Sequence, residues 1–148
     1  MSTNENSGTL GGNGVDVSKT TKARGHKDHG REENPTLELF SGFIKLHVLH
    51  HASERPVYGL WLIEELEEHG YRVSPGTLYP LLHSMEEAEM LKSYNELYAG
   101  KIRRYYKITP AGRRLLKQAK LQIIELMSEM LTKEEFDRLR SSLKELTT

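Results

Sequence analysis

The chain has 148 residues, with 21 Lys plus Arg against 21 Asp plus Glu, so the net charge is zero and the totals name no polyelectrolyte partner. It holds no cysteine, which excludes disulfides, thiolate metal centres and cysteine nucleophiles and suits a cytoplasmic location. Hydrophobic residues are 36% of the chain, below the ~45–50% of an average globular protein; no apolar run approaches the ~18 residues of a membrane span, so no membrane partner is expected.

Residues 1–34 hold six of the twelve glycines and, after Met1, only Leu10, Val15 and Val17 as large apolar side chains. Such a stretch buries too little surface to offset its ordering entropy, and it reads as a disordered N-terminal extension. Pro35 then opens an apolar run: Leu37, Leu39, Phe40, Phe43, Ile44, Leu46, Val48 and Leu49. These positions cover nearly every side of a helix, and a helix apolar all round wants burial on more than one face. In so small a domain that points to a second chain.

A second helix carries Gly59, Leu62, Ile63 and Leu66 at helical spacing and stops at Gly70. Ser74-Pro75 pairs a favoured N-cap with a favoured first helical residue. The third helix buries Leu78, Leu81, Leu82, Met85 and Ala88, with Pro80 expected to bend it. Two strand-like runs over 91–97 and 102–109 flank Tyr98-Ala99-Gly100-Lys101, a loop of hairpin length with Gly100 available for positive φ. Thr109-Pro110 starts a long helix with the stripe Leu115, Ala119, Ile123, Leu126 and Met130. Thr132-x-x-Glu135 reads as a capping box that opens a short amphipathic helix.

Charge is segregated along the chain. Residues 53–90 carry two cations against eight carboxylates, a net of −6, whereas residues 91–120 carry nine cations against Glu96 alone, a net of +8. A neutral protein with a concentrated basic hairpin has the electrostatic footprint of a phosphate-binding element.

Helix, helix, helix and hairpin in that order is the winged helix-turn-helix arrangement. The fold expected is mainly α with a small β hairpin, a winged helix-turn-helix domain followed by C-terminal dimerisation helices. In such folds the third helix enters the major groove by its N-terminus and the hairpin lies on flanking phosphates. The face expected to read DNA is Ser74, Pro75, Gly76, Thr77, Tyr79 and His83, a small, uncharged first turn followed by hydrogen-bonding side chains. The wing cations expected on phosphate are Lys101, Arg103 and Arg104; the last shares a face with Tyr106 and Ile108 and could instead be a structural pair.

Tyr58-Gly59, Ser74-Pro75-Gly76-x-Leu78-Tyr79-Pro80-x-Leu82 and Arg104-Tyr105-Tyr106-x-Ile108-Thr109-x-Ala111-Gly112 closely resemble the PadR-like transcriptional regulators over about residues 37–120. The resemblance implies a winged-helix domain and a homodimer built largely by the C-terminal helix. It also implies binding to an inverted-repeat operator of double-stranded DNA, usually as a repressor. Two positions depart from the family's pattern: Leu60 replaces a second aromatic, and Glu89 or Met90 replaces the glycine usual before the first wing strand. The closing segment from Leu131 to Leu146 looks more like the last helices of MarR-type regulators, a likeness that amphipathic helix patterning alone accounts for.

The expected division is an extension over 1–34, a DNA-binding domain over 35–112 and a dimerisation region over 113–148. The dimer interface is assigned to Leu115, Ala119, Ile123, Leu126 and Met130. No catalytic constellation is present: there is no Gly-rich phosphate loop and no His-Glu-x-x-His. His47, His50 and His51 lie on one side of a helix, and His26-x-x-His29 lies in the extension. They read as surface and packing histidines, so no metal and no cofactor is assigned. Trp61 is a candidate wall for a small hydrophobic effector. The competing functions left open are a winged-helix protein–protein adaptor and a metal-responsive regulator that uses the histidines.

Overall fold

The computed structural model describes Val15–Asp16 and residues 35–146, with side chains over 38–145. Helix α1 (Pro35–Glu54) is followed by strand β2 (Val57–Tyr58), helix α2 (Gly59–Glu68), strand β3 (Tyr71–Arg72) and helix α3 (Pro75–Glu87). The hairpin β4 (Leu91–Tyr98) and β5 (Lys101–Ile108) leads into the long helix α4 (Pro110–Met130) and the last helix α5 (Lys133–Leu146). The expectation of disorder over 1–34 lies outside the described residues except at β1 (Val15–Asp16), which pairs in parallel with β3 through Val15 opposite Tyr71 and Asp16 opposite Arg72.

The core forms where the three winged-helix helices meet. Ile44, Val48, Leu49 and Ala52 from α1 close on Leu62 and Leu66 from α2 and on Leu78, Leu82 and Met85 from α3. Leu91 and Tyr106 from the hairpin and Leu116 from α4 seal the edge. No buried side-chain polar atom among the described residues lacks a partner, as close-packed native interiors require.

The hairpin is longer than its sequence pattern suggests. Tyr98 pairs with Lys101, leaving a two-residue loop in which Ala99 (φ 48) and Gly100 (φ 77) both have positive φ. Two positive φ values make this the turn whose twist matches that of paired strands. A third strand, β2, pairs antiparallel with β5 to give the order β2-β5-β4. Two residues carry no alternation, so this strand leaves no mark in the sequence.

Caps explain the helix boundaries, with one departure. Thr109 Oγ1 accepts the Gly112 N–H at 2.9 Å. Thr132 and Glu135 form the reciprocal capping box, at 2.9 Å and 3.2 Å. Ser74 occupies the N-cap of α3 but makes no side-chain cap bond to the backbone; its hydroxyl lies 3.2 Å from the Thr77 hydroxyl instead. Glu89 has φ 57, so the turn before β4 has the left-handed backbone that glycine adopts without strain.

Helix α4 crosses the boundary expected between 112 and 113. Its first turns belong to the core, with Gly112 and Leu116 buried, whereas 121–130 is exposed throughout. No helix among the described residues is long and apolar enough to cross a membrane.

Candidate nucleic-acid interface

The N-terminal turn of α3 presents Pro75 and Gly76 exposed, with Ser74 and Thr77 half-buried beside them. A Cβ built on Gly76 would meet nothing closer than Ser74 Oγ at 3.9 Å, so this turn is open. Helix α3 continues through Pro80. The missing N–H falls opposite the carbonyl of Gly76, four residues back. His83 is exposed one turn further on and lies 3.3 Å from Glu87.

Tyr79 is half exposed, but its position is fixed from beneath. A Cβ on Gly59 would lie 2.5 Å from the Tyr79 hydroxyl oxygen and 2.6–2.7 Å from its ring carbons. The ring therefore rests on the bare backbone at the start of α2, which is the physical reason for glycine after Tyr58. Tyr79 is a packing residue as well as a surface residue.

The wing places its three expected cations differently. Lys101 is exposed at the hairpin tip. Arg103 lies over two aromatic rings, 4.1 Å from the centroid of Tyr58 and 4.3 Å from that of Tyr98. Its Nη1 donates to the Tyr105 hydroxyl at 3.4 Å, a contact that raises the pKa of the guanidinium. Tyr94 stacks on Tyr105 at 5.6 Å, and Tyr58 meets Tyr105 edge-on at 5.5 Å. The ammonium of Lys107 lies 4.8 Å from the Tyr94 ring. One face of the sheet is thus a tyrosine ladder with cations set into it. Arg and aromatic rings attract through the ring quadrupole, and the contact limits the rotamers open to the guanidinium.

Arg104 points to the other face. Its Nη2 lies 3.2 Å from Glu86 Oε2 and donates to Ser93 Oγ at 2.8 Å, while Ser93 Oγ donates to Glu86 Oε1 at 2.9 Å. This triad joins the C-terminal turn of α3 to both wing strands. Glu86 looks like a solvated residue in sequence but is committed to this triad. Of the two roles the sequence leaves open for Arg104, phosphate ligand and structural pair, the geometry is that of the pair.

The junction between wing and α4 accounts for a further block of the motif. Thr109 N–H donates to the Met90 carbonyl at 3.1 Å, and Thr109 Oγ1 lies 3.2 Å from the same carbonyl. A Cβ on Gly112 would come 2.2 Å from that oxygen. Only glycine permits so close an approach.

The apolar stripe assigned to dimerisation is exposed in the single chain. Leu115, Ile123, Leu126 and Met130 are 38–68% exposed, and Ala119 is half-buried. Ala119, Ile123 and Leu126 face Leu39, Phe43 and Leu46 of α1 across an open apolar groove of about 380 Å³. This is the second face that the all-round apolar pattern of α1 anticipates. A separate groove of about 330 Å³ lies between α4 and α5 and is lined by Ile124, Met127, Leu131 and Phe136. Trp61 packs against α1, with the Arg55 guanidinium 4.6 Å above it and the His51 ring edge-on at 5.3 Å. Burial lowers the pKa of that His51 imidazole against the opposing pull of Glu65.

Comparison with known proteins agrees with this architecture. The model of the Transcriptional regulator PadR-like family matches residues 48–118. Transcriptional regulator Rv3488 of Mycobacterium tuberculosis is 49% identical over 88 residues, which cover 60% of this chain and 82% of the relative. A PadR family transcriptional regulator from Eggerthella lenta superposes with a TM-score of 0.57 at 34% identity, covering 64% of this chain and 84% of the other. A PadR-like transcription factor from Bacteroides fragilis gives 0.57 at 27%, covering 64% and 92%. The winged helix, the motif residues and these relatives agree: the chain belongs to the PadR-like family of transcriptional regulators, whose members bind DNA and are not enzymes.

Proposed function

We propose that this regulator is a cytoplasmic homodimeric repressor that binds an inverted-repeat operator, reading bases with α3 and holding phosphates with the wing. One observation carries the division of labour. Tyr79 of α3 rests on Gly59 while Arg103 of the wing lies over Tyr58, so both DNA-facing elements are seated on one dipeptide. Ser74, Pro75, Gly76, Thr77, Tyr79 and His83 form the reading surface; Lys101 and Arg103 supply phosphate contacts, and Arg104 holds the wing to α3. The +8 segment supports DNA as the ligand over a protein partner, since an adaptor has no use for such charge.

Dimerisation is assigned to the exposed stripe of α4 together with the exposed Leu39 and Phe43 of α1. A two-fold interface places the same patch on both subunits, and an inverted repeat mirrors that symmetry in DNA. The test is binding to a duplex carrying the inverted repeat upstream of the regulator's own gene, against a scrambled duplex, over a range of salt concentrations. Arg103→Ala should weaken both duplexes alike and lower the salt slope by about one for each phosphate it no longer neutralises. A Thr77/His83 double alanine should cost ~1–3 kcal/mol on the operator alone. Ile123→Glu with Leu126→Glu should yield a monomer in sedimentation. A dimer that survives both charges, or an Arg103→Ala chain that loses operator preference, refutes the assignment.

A further inference from the structure

Away from the wing and α3, two histidines from different parts of the chain, His51 and His69, converge on one carboxylate. His51 lies on α1, Glu65 on α2, and His69 is the residue that caps α2. His51 Nε2 and His69 Nε2 each approach the same oxygen, Glu65 Oε1, at 3.4 Å. The three candidate ligand atoms all lie within 4.8 Å of one another.

We propose that His51, Glu65 and His69 bind a divalent first-row metal ion of the zinc type, with one open position left to water. The spacing is the first argument. Metal–ligand bonds of about 2.0–2.1 Å at tetrahedral angles separate neighbouring ligand atoms by about 3.3 Å. Two nitrogens at 3.4 Å from one carboxylate oxygen match that edge and are long for hydrogen bonds. The donor set is the second argument, because two imidazoles and a carboxylate suit borderline ions such as zinc, cobalt and nickel rather than calcium or magnesium.

Pre-organisation is the third argument. The side chains of His51 and Glu65 are only 13% and 23% exposed, and the His51 ring is braced by Trp61. The His69 ring packs against His47 at 5.1 Å, and His47 is itself fixed by a 2.9 Å contact from Nδ1 to the Phe43 carbonyl. A rival triplet, His50, His51 and Glu54, shares His51. It lies wholly on α1, and its His50–Glu54 pair is wider, at 3.8 Å, and solvent-exposed. The chosen triplet links α1, which carries part of the proposed dimer face, to the end of α2, which leads through β3 into α3.

The test titrates cobalt(II), then zinc, into the full chain and follows cobalt d–d absorption together with the melting temperature. Expected are the bands of a four-coordinate nitrogen–oxygen site, their displacement by zinc, and a melting temperature raised by zinc. His69→Gln changes a half-exposed side chain, so its metal-free melting temperature should match wild type while the bands and the zinc-induced rise vanish. Glu65→Gln should lose both as well, and His50→Gln should keep both. Bands that persist in His69→Gln, that vanish in His50→Gln, or that never form in wild type overturn the proposal. None of these results bears on DNA binding, so the two readings fail separately.

Discussion

Replacing Gly59 with alanine tests the link between α2 and the recognition helix. The new methyl would lie 2.5–2.7 Å from three atoms of Tyr79, against the ~3.5 Å at which carbon atoms normally meet. The overlap of about 1 Å is relieved if the half-exposed tyrosine swings away, and overpacking of this kind typically costs ~1–3 kcal/mol. Opposing it, alanine gains up to ~1 kcal/mol over glycine in a helix. Gly59→Ala should therefore destabilise by about 1–2 kcal/mol. In a Tyr79→Ala background only the favourable part remains, and the same substitution should become neutral or stabilising. The double-mutant cycle should give a coupling of about 2 kcal/mol, read by urea unfolding at one fixed protein concentration because an oligomer's midpoint depends on it. An equal cost in both backgrounds would show that Tyr79 does not rest on Gly59.

Three further substitutions probe the backbone and the wing. Glu89 has φ 57, a conformation costing non-glycine residues roughly 1–2 kcal/mol. Glu89→Gly relieves this against a smaller loss through unfolded-state entropy and should stabilise by about 0.5–1 kcal/mol in urea unfolding. Gly112→Ala places a methyl 2.2 Å from the Met90 carbonyl oxygen, a backbone atom. It should destabilise by ~2 kcal/mol or more, and a neutral result would contradict the close packing of α4 on the turn before the wing. Arg104→Ala should cost only about 0–1 kcal/mol of stability, since the ion pair is 52% and 30% exposed. It should also leave the salt slope of DNA binding unchanged where Arg103→Ala lowers it.

Much of this architecture is legible in the sequence because local rules and tertiary packing agree there. Thr109 and Thr132 cap as their positions demand, and the stripe of α3 buries Leu78, Leu82 and Met85. What escapes is contact between segments too short or too distant to leave a period. Strand β2 is two residues long, yet Tyr58 forms part of the Arg103 seat. His51 and Glu65 lie on different helices, so no spacing rule pairs them. Leu60, where the family's pattern has an aromatic, is 59% exposed, which is why that departure leaves the core intact. Glu89 is the opposite case, because the family's glycine answers a backbone demand that persists here when the residue changes.

The two halves of α4 differ in their surroundings: Gly112 and Leu116 are buried in the core, whereas 121–130 is exposed. The first turns are locked to the Met90 carbonyl by the Thr109 N–H and by the bare Cα of Gly112. The second half carries Ile123, Leu126 and Met130 of the exposed stripe proposed to meet a partner. At 1.5 Å per residue the 21 residues of α4 form a rod about 32 Å long. In the proposed dimer, a rod fixed at its base and self-associated near its tip would convert small changes of packing into displacements of the recognition helices. The least restrained contact would then be the open α1–α4 groove, whose lining from Leu39 to Leu126 is apolar except for Gln122. In the proposed dimer, the distance between the two recognition helices, and so the spacing of the half-sites, would depend on how that groove is filled.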